Sequence, residues 1–454
     1  MLEKCCGPLG DSLLGAAGKE GTCMAQVKEV LSSLGDSKYH DTFAYIYAAD
    51  EPAIKEQTQR YEQAVRDFAG LFGDSREVEL FSAPGRTEIG GNHTDHQHGR
   101  VVAAGVNLDV IAVASRNHDG VIRIQSKGYP MDTIDLSCLE VQDKEKNKAA
   151  SLIRGVAARF EQLGYRIGGF DAYTTSNVLK GSGLSSSAAF EVLVGTMLSH
   201  LFNDGEVDAV KIAQIGQYAE NVYFGKPCGL MDQTASSVGG FVAIDFADPQ
   251  NPVVEKIDFD FTQSGCALCI VDTGGNHADL TGDYASVPQE MKEVARICSK
   301  EVLREVPEKD FMDKLPEIRR QVGDRAVLRA IHFFRENERA ARLAQALREH
   351  DFAEFKRLIT QSGESSFMYL QNVYTTKNVR EQGLSLALAL AQEQLGESGA
   401  CRVHGGGFAG TIQAFVPVIK LRAFKSEMER VFGANTCHVL SIRPVGGIKV
   451  TQDQ

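Results

Sequence analysis

The residues from Gly181 to Ser187 combine two glycines with four serines just before an apolar segment. Glycine lets the backbone approach a ligand closely, and serine is a preferred residue at a helix N-terminus. The free N–H groups and the dipole of such a terminus attract anions. The pattern therefore predicts a phosphate-binding loop followed by a helix from Phe190 to Leu201, although an ordinary loop that caps a buried helix has the same composition. The chain has no GxxxxGK[ST] sequence, which excludes a Walker A loop.

A second polar segment begins at Arg86, after a predicted strand from Val78 to Ala83 that Pro84-Gly85 is expected to end. Its side chains include four potential metal ligands: His93, Asp95, His96 and His98. Because alternate residues of an extended chain point to opposite faces, these four do not form one ligand set. We expect a polar loop in which one or two side chains bind a ligand, rather than a metal centre.

Three further charged residues have types suited to catalysis. The guanidinium of Arg86 stays protonated and its planar fork suits phosphate or carboxylate, although a lone arginine is more often a surface charge. Asp232 precedes a helix signal, so it is either a cap or a functional carboxylate. Glu220 lies on a predicted helix, where solvent exposure is the default. The glycines from Gly405 to Gly407 form either a bare turn or a close approach to another loop.

The remaining pattern predicts the elements that position these residues. The first half alternates helices and strands: helix 56–72 ended by Gly73, strands 78–83, 101–115, 121–125 and 170–175, and helices 151–163, 190–201 and 207–224. The second half has strands 241–246, 267–272 and 438–444, a helical stretch over 289–395, and a helix over 420–432. We expect domains over 24–235 and 236–454. We hypothesise that the native chain starts at Met24 and that residues 1–23 are a leader outside it, because the codons of Lys19-Glu20-Gly21 can spell a ribosome-binding sequence before Met24.

Composition limits the classes of partner. The net charge is −12 and there is no long basic run, so we expect neither nucleic acid nor a membrane surface as a partner. No apolar run reaches the roughly 18 residues that a membrane-spanning helix needs. The ten cysteines are scattered, and Cys266 and Cys269 would lie on opposite faces of one strand, which suits neither zinc nor a redox pair. A reducing cytoplasm is the expected location.

Four segments together resemble the ordered motifs of the GHMP kinases, and among them the galactokinases. They are PGRTEIGGNHTD (84–95), GSGLSSSAAFEV (181–192), PCGLMDQ (227–233) and HGGGFAGT (404–411). The resemblance covers the chain from Phe72 to the C-terminus. It implies an α+β, two-domain GHMP kinase fold with the active site in the interdomain cleft, and ATP-dependent phosphorylation of D-galactose at the anomeric hydroxyl with Mg²⁺.

The resemblance also implies residue roles. The ATP phosphates would bind the loop formed by Gly181, Ser182, Gly183, Leu184, Ser185, Ser186 and Ser187. Mg²⁺ would bind Ser186 and Glu220. Asp232 would be the general base, and Arg86 would steady that carboxylate and the transferred phosphoryl group. The sugar would contact Arg86, Asn92, His93, Asp95, Gly229, Asp232 and Tyr284.

The chain departs from the galactokinase pattern close to the expected sugar. Asn92 replaces the usual Glu, Thr87-Glu88 replaces the common Val-Asn pair, and His96 replaces the usual Tyr. An amide at residue 92 removes a charge that would repel a carboxylate, so a kinase for galacturonate or N-acetylgalactosamine is an alternative. There are two further alternatives: a non-catalytic galactose sensor, and a metal-dependent hydrolase built on the histidines.

Overall fold

The computed structural model describes residues 25–179, 181–226, 228–275 and 280–451. The predicted leader lies outside these residues. Their helices are α1 (Val27–Gly35), α2 (His40–Tyr47), α3 (Glu51–Phe72), α4 (Ala149–Gln162), α5 (Ser186–Asn203), α6 (Ala209–Tyr218), α7 (Met231–Val238), α8 (Thr281–Ile297), α9 (Glu308–Arg348), α10 (Phe352–Ser365), α11 (Gly383–Leu395) and α12 (Leu421–Phe432). Their strands are β1 (Ala25–Gln26), β2 (Glu77–Gly90), β3 (Arg100–Arg116), β4 (Val121–Ser126), β5 (Asp132–Asp135), β6 (Phe170–Ser176), β7 (Phe241–Asp245), β8 (Val253–Ile257), β9 (Cys266–Asp272), β10 (Ala400–Val403), β11 (Thr411–Pro417), β12 (Cys437–Leu440) and β13 (Ile448–Lys449).

The strands form two sheets, and the helices pack around them in an α+β arrangement. The first sheet has the order β1-β2-β3-β6-β4-β5, with β13 on β2 and the β7–β8 hairpin on one end of β3. The second is antiparallel with the order β10-β11-β9-β12. The first sheet thus continues past residue 235, where the sequence analysis placed the domain boundary, because β7 and β8 pair with β3. The chain changes sheets between Ile257 and Cys266.

Strand β2 corrects the prediction that Pro84-Gly85 ends it. The strand runs on to Gly90 with an irregular register between Pro84 and Arg86. Other elements satisfy the backbone groups that this irregularity releases: Leu184 O accepts from the Arg86 N–H at 3.0 Å, and the Ser236 hydroxyl donates to Pro84 O at 2.6 Å. The irregularity therefore places Arg86 between the residues before α5 and helix α7.

Helix α5 runs through the main core and begins at Ser186, four residues before the predicted start. Almost all of its residues are buried, so its N-terminus is the part that can meet a ligand. On β9, Cys266 packs in the core of the first sheet and Cys269 in the core beside α11 and α12. The prediction that these two thiols lie on opposite faces is confirmed. No helix of the described residues is long and apolar enough to span a membrane; a cytoplasmic location remains a prediction.

Candidate functional site

Arg86 and Asp232 form a two-pronged ion pair at the centre of the site. Arg86 Nε lies 2.7 Å from Asp232 Oδ1, and Arg86 Nη2 lies 2.7 Å from Asp232 Oδ2. Nη1 donates to the carbonyl oxygen of Gly183. The arginine side chain is 8% exposed and the carboxylate 30% exposed, so the carboxylate remains open to a ligand. The planar fork thereby ties strand β2 to helix α7 and to the loop before α5.

Asp232 is held in its charged form. Burial raises the pKa of this carboxyl, but the charge of Arg86 and hydrogen bonds from Arg86 and Ser185 outweigh burial, so the pKa lies below its ordinary value. The Ser185 hydroxyl donates to Asp232 Oδ2 at 2.6 Å. An ionised carboxylate of this kind can accept a proton from an alcohol at neutral pH.

The segment from Gly181 to Ser187 is called the phosphate loop here, after the ligand that the sequence analysis predicts for it. It forms a loop that leads into helix α5, and phosphate binding by it stays a prediction. Gly181 and Gly183 both have φ of +74°, and Ser185 has φ of +55° where it precedes α5. A Cβ on Gly183 would lie 3.0 Å from His404 Nδ1, which ties this position to glycine for space as well as conformation. The Thr411 hydroxyl donates to Ser182 O at 2.9 Å, so the second sheet supports the loop.

Glu220 lies beside the start of α5, on a π-helical segment (Ala219–Phe224) that continues α6. Its Oε1 lies 3.4 Å from the Ser187 hydroxyl, so the structure pairs Ser187, rather than the predicted Ser186, with this carboxylate. Its Oε2 accepts from Gln233 Nε2 at 2.9 Å, and the same nitrogen donates to Glu191 Oε2 at 2.9 Å. Burial and the neighbouring Glu220 raise the pKa of Glu191 well above its usual range. This shift favours the protonated form of Glu191, which limits the repulsion between the two carboxyl groups.

A cleft of about 720 Å³ opens next to the phosphate loop. Its lining residues include Ser186 and Ser187 together with the aromatic side chains Tyr129, Phe190 and Phe224. A mostly apolar slot beside a helix N-terminus is the arrangement that a nucleotide needs, with its base in the slot and its phosphates at the helix.

The expected sugar-binding residues meet the segment Gly405–Gly407, here called the glycine loop. His93 Nε2 lies 3.1 Å from Gly406 O, and the Tyr284 hydroxyl donates to Gly407 O at 2.7 Å. Burial and the neighbouring His96 lower the pKa of His93 to about 4, so the ring is neutral at physiological pH and donates to Gly406. The glycine loop thus joins elements from both halves of the chain across the site.

Asp95 and Gly229 are also brought together. A Cβ on Gly229 would lie 2.3 Å from Asp95 Oδ2, so only glycine leaves room for this carboxylate. Gly229 precedes α7, which carries Asp232. The predicted sugar contacts on the 92–95 segment and on the 227–233 segment are therefore neighbours in space.

The sequence analysis expected Asn92 to contact the sugar, but its side chain is buried within the protein. The residue is 0% exposed. Its Nδ2 donates to Glu88 Oε1 at 2.9 Å and to Gly405 O at 2.7 Å, while its Oδ1 accepts from Asn372 Nδ2 at 2.8 Å. Both amide donors are thus committed to the protein. A sugar could bind this amide only by displacing one of these buried partners.

The histidine segment supplies no metal centre. His93 and His96 have ring centres 6.1 Å apart. In the described part of the chain, no group of three or more His, Cys, Asp or Glu side chains is placed to hold a metal ion. The hypothesis of a metal-dependent hydrolase therefore has no support in these residues.

Comparison with known proteins identifies the family. A model of the GHMP kinases N terminal domain matches residues 151–240, and a galactokinase galactose-binding signature matches residues 66–116. A galactokinase of Actinobacillus pleuropneumoniae serotype 5b (strain L20) is 30% identical over 356 residues, which cover 78% of this chain and 89% of the relative. The chain belongs to the galactokinase family.

Other galactokinases agree with this assignment. That of Streptomyces coelicolor is 29% identical over 369 residues, covering 81% of this chain and 92% of the relative. The crystal structure of Lactococcus lactis galactokinase complexed with galactose superposes with a TM-score of 0.73 at 25% identity, and covers 85% of this chain and 98% of that one. The resemblance drawn from the four motifs is confirmed, and so is the GHMP kinase fold.

Sequence reasoning missed several residues that shape this galactokinase-family site. Gln233 directly follows Asp232, so its place in the motif was the available signal. Arg402, which is 0% exposed and donates to Glu88 Oε1 at 2.6 Å, gave no signal. His404, which contacts the Thr87 hydroxyl, opens the motif at 404–411, so its place there was a signal of the same kind. Asn372 gave no signal, because its partner Asn92 is distant in sequence.

Proposed function

We propose that the chain transfers the γ-phosphoryl group of ATP to the anomeric hydroxyl of D-galactose, giving galactose 1-phosphate and ADP. The observation that carries the proposal is the Arg86–Asp232 pair, which lies between the phosphate loop and the segment that carries His93 and Asp95. The galactokinase relatives, one of which is complexed with galactose, supply the substrate.

In this proposal Asp232 acts as the general base. Its carboxylate accepts the proton of the anomeric hydroxyl as the oxygen attacks phosphorus. A positioned base of this kind contributes about 10²–10⁴-fold to the rate. Arg86 keeps the carboxylate ionised and directs it, and its charge favours the negative phosphoryl group next to it.

The residues present fit the magnesium ion that the family implies. The carboxylate of Glu220 and the hydroxyl of Ser187 lie 3.4 Å apart. Mg²⁺ prefers oxygen ligands and is usually held by one or two carboxylates together with phosphates and water. We assign Glu220 and Ser187 as its protein ligands, in place of Ser186. Mg²⁺, when bound, would neutralise charge on the phosphates.

The phosphate loop and the cleft beside it would hold the nucleotide. Backbone N–H groups at the start of α5 bind the phosphates, because they have no partner within the helix. The base enters the cleft lined by Phe190 and Phe224. The sugar lies against His93, Asp95 and Tyr284, near the glycine loop.

Galactose is favoured over the acidic and N-acetylated sugars. The motive for those alternatives was the amide of Asn92, which is buried and committed to Glu88 and Gly405. The sensor alternative is disfavoured, because the phosphate loop, Asp232 and Glu220 are all in place for transfer.

The test is ADP release from Mg·ATP with galactose, N-acetylgalactosamine, galacturonate, arabinose and glucose at equal concentrations. We expect a clear preference for galactose. The Asp232→Asn protein, purified in parallel, reports any contaminating kinase. A preference for another sugar would overturn the substrate, and galactose binding without turnover would overturn the enzymatic proposal in favour of a sensor.

A further inference from the structure

The two oxygens of the Glu220 carboxylate have different partners. Oε2 is fixed by Gln233, as described above. Oε1 lies 3.2 Å from the ammonium of Lys226 and 3.4 Å from the hydroxyl of Ser187. The oxygen that we assign to Mg²⁺ is therefore also the oxygen that Lys226 contacts.

The backbone of Lys226 is held by a hydrogen bond, whereas its side chain is largely exposed to solvent. Gly225 ends the π-helical segment with φ of +85°, and the Lys226 N–H donates to Glu220 O at 3.1 Å. The lysine side chain is 62% exposed, whereas that of Glu220 is 4% exposed. An ammonium on a flexible four-carbon stem can move between partners without moving the backbone.

The lysine is charged at neutral pH. The ordinary pKa of a lysine side chain is about 10.4, so the ammonium is protonated at this pH. Arg86 is also close to this site, but its guanidinium is committed to Asp232 and Gly183. Of these two cations, Lys226 is the one able to meet an incoming anion.

We propose that Lys226 is a phosphate-binding residue that neutralises Glu220 while no metal ion is bound there, and turns to the nucleotide phosphates when Mg²⁺ takes its place. The proposal rests on the proposed function, because it assumes a nucleotide in the cleft. Two cations next to one carboxylate oxygen repel each other, so metal binding displaces the ammonium. The nearest new anionic partner would be a nucleotide phosphate bound at Ser187 and the start of α5.

A simple surface ion pair is the competing explanation, since most exposed pairs contribute little. The two explanations differ in what Lys226→Met does to ligand binding. Loss of a displaceable ammonium weakens binding of phosphates but strengthens binding of a free metal ion, because the competitor at Glu220 is gone. Loss of an idle surface pair leaves the binding of phosphates unchanged, so phosphate binding is the readout that separates the two explanations.

The experiment is isothermal titration of the full chain with adenosine 5′-(β,γ-imido)triphosphate and Mg²⁺, with adenosine, and with Mn²⁺ alone. For Lys226→Met we expect about tenfold weaker binding of the imidotriphosphate, as typical of one lost charge-assisted hydrogen bond. Adenosine binding stays unchanged and Mn²⁺ binds more tightly. Lys226→Arg, which keeps the charge, binds the imidotriphosphate within about threefold of the original chain.

Lys211→Met is the matched control, because Lys211 lies on α6 and donates to Gln214 at 2.9 Å rather than to a carboxylate. It should bind all three ligands as the original chain does. Unchanged binding of the imidotriphosphate by Lys226→Met would overturn this inference alone, whatever the affinity for Mn²⁺. Absence of nucleotide binding by the original chain would instead overturn the proposed function on which it rests.

Discussion

Asn92 donates a hydrogen bond of 2.9 Å from its Nδ2 to Oε1 of Glu88. These residues are two of the departures from the galactokinase pattern, in which Asn is common at residue 88 and Glu is usual at residue 92. The amide and the carboxylate have exchanged positions, and the two side chains are in contact. The exchange therefore keeps one donor–acceptor pair, with Arg402 as the counter-charge of Glu88.

This contact predicts strong coupling between the two positions. Glu88→Asn leaves the buried Arg402 without its counter-charge, and Asn92→Glu sets two carboxylates against each other. Each change should lower the free energy of unfolding by about 3 kcal/mol or more. The double change restores one amide and one carboxylate. The double variant should therefore lose less free energy of unfolding than the sum of the losses in the single variants.

Urea unfolding of the single and double variants measures this coupling. The control combines Asn92→Glu with Glu77→Asn, since Glu77 is an exposed carboxylate at the start of the same strand. The control pair should be additive. Additivity of the Glu88 and Asn92 changes as well would show that the contact has no energetic role.

Replacing Asp232 tests the base directly. Asp232→Asn keeps the size of the side chain but cannot accept the proton, so kcat should fall by at least about 100-fold while nucleotide binding is retained. Steady-state kinetics and nucleotide titration measure the two effects. Ser185→Ala, which removes only the 2.6 Å hydrogen bond to Asp232, should have a much smaller effect on kcat. A rate near that of the original chain for Asp232→Asn would exclude this residue as the base.

Arg86 should control the pH at which activity is lost. Asp232 has a lowered pKa, so activity should be full at neutral pH and lost only as the pH falls through that lowered pKa. In Arg86→Met the attraction is removed while burial remains, so the pKa of Asp232 rises and the acidic limb of kcat/KM moves to higher pH. Arg86→Lys should show a smaller shift because it keeps a charge. If the acidic limb lies at the same pH in all three proteins, Arg86 does not control the ionisation of Asp232.

Glu336 should stabilise the fold in a pH-dependent way. It is 0% exposed and accepts hydrogen bonds from the Gly91 N–H at 3.0 Å and from the Ser362 hydroxyl at 2.6 Å. Burial raises the pKa of Glu336, but Arg339, His332 and Arg402 outweigh burial and lower it to about 2. A carboxylate with a pKa below its unfolded value of about 4.3 stabilises the native state above that value by about 3 kcal/mol.

Glu336→Gln should therefore destabilise the chain at pH 7, and the difference should shrink as the pH falls from about 4.3 towards 2. Chemical denaturation at pH 7, 4 and 3 measures the free energy of unfolding of both proteins. Glu338→Gln, on the same helix, is the control. A difference that does not vary with pH would mean that Glu336 acts through packing alone.

Local patterns were sufficient for the backbone of the site. The glycines and serines of residues 181–187 predicted a phosphate loop before a helix, and the periodicities predicted β3, β6 and α4 to within a few residues. Such features depend on steric and hydrogen-bonding preferences of neighbouring residues, which the sequence displays directly. The order of the four motifs was enough to indicate the galactokinase family.

Only the tertiary structure decided where individual polar side chains point. Asn92 forms hydrogen bonds with Asn372 and Gly405, which are 280 and 313 residues away in sequence. These bonds hold the amide inside the protein, away from the expected sugar site. Ser187 rather than Ser186 faces Glu220, because the pitch of α5 selects which hydroxyl meets the π-helical segment. Strand β2 passes through Pro84-Gly85 because Leu184 and Ser236 bind its free backbone groups. In each case the deciding partner comes from a distant segment, so no local pattern contains the information.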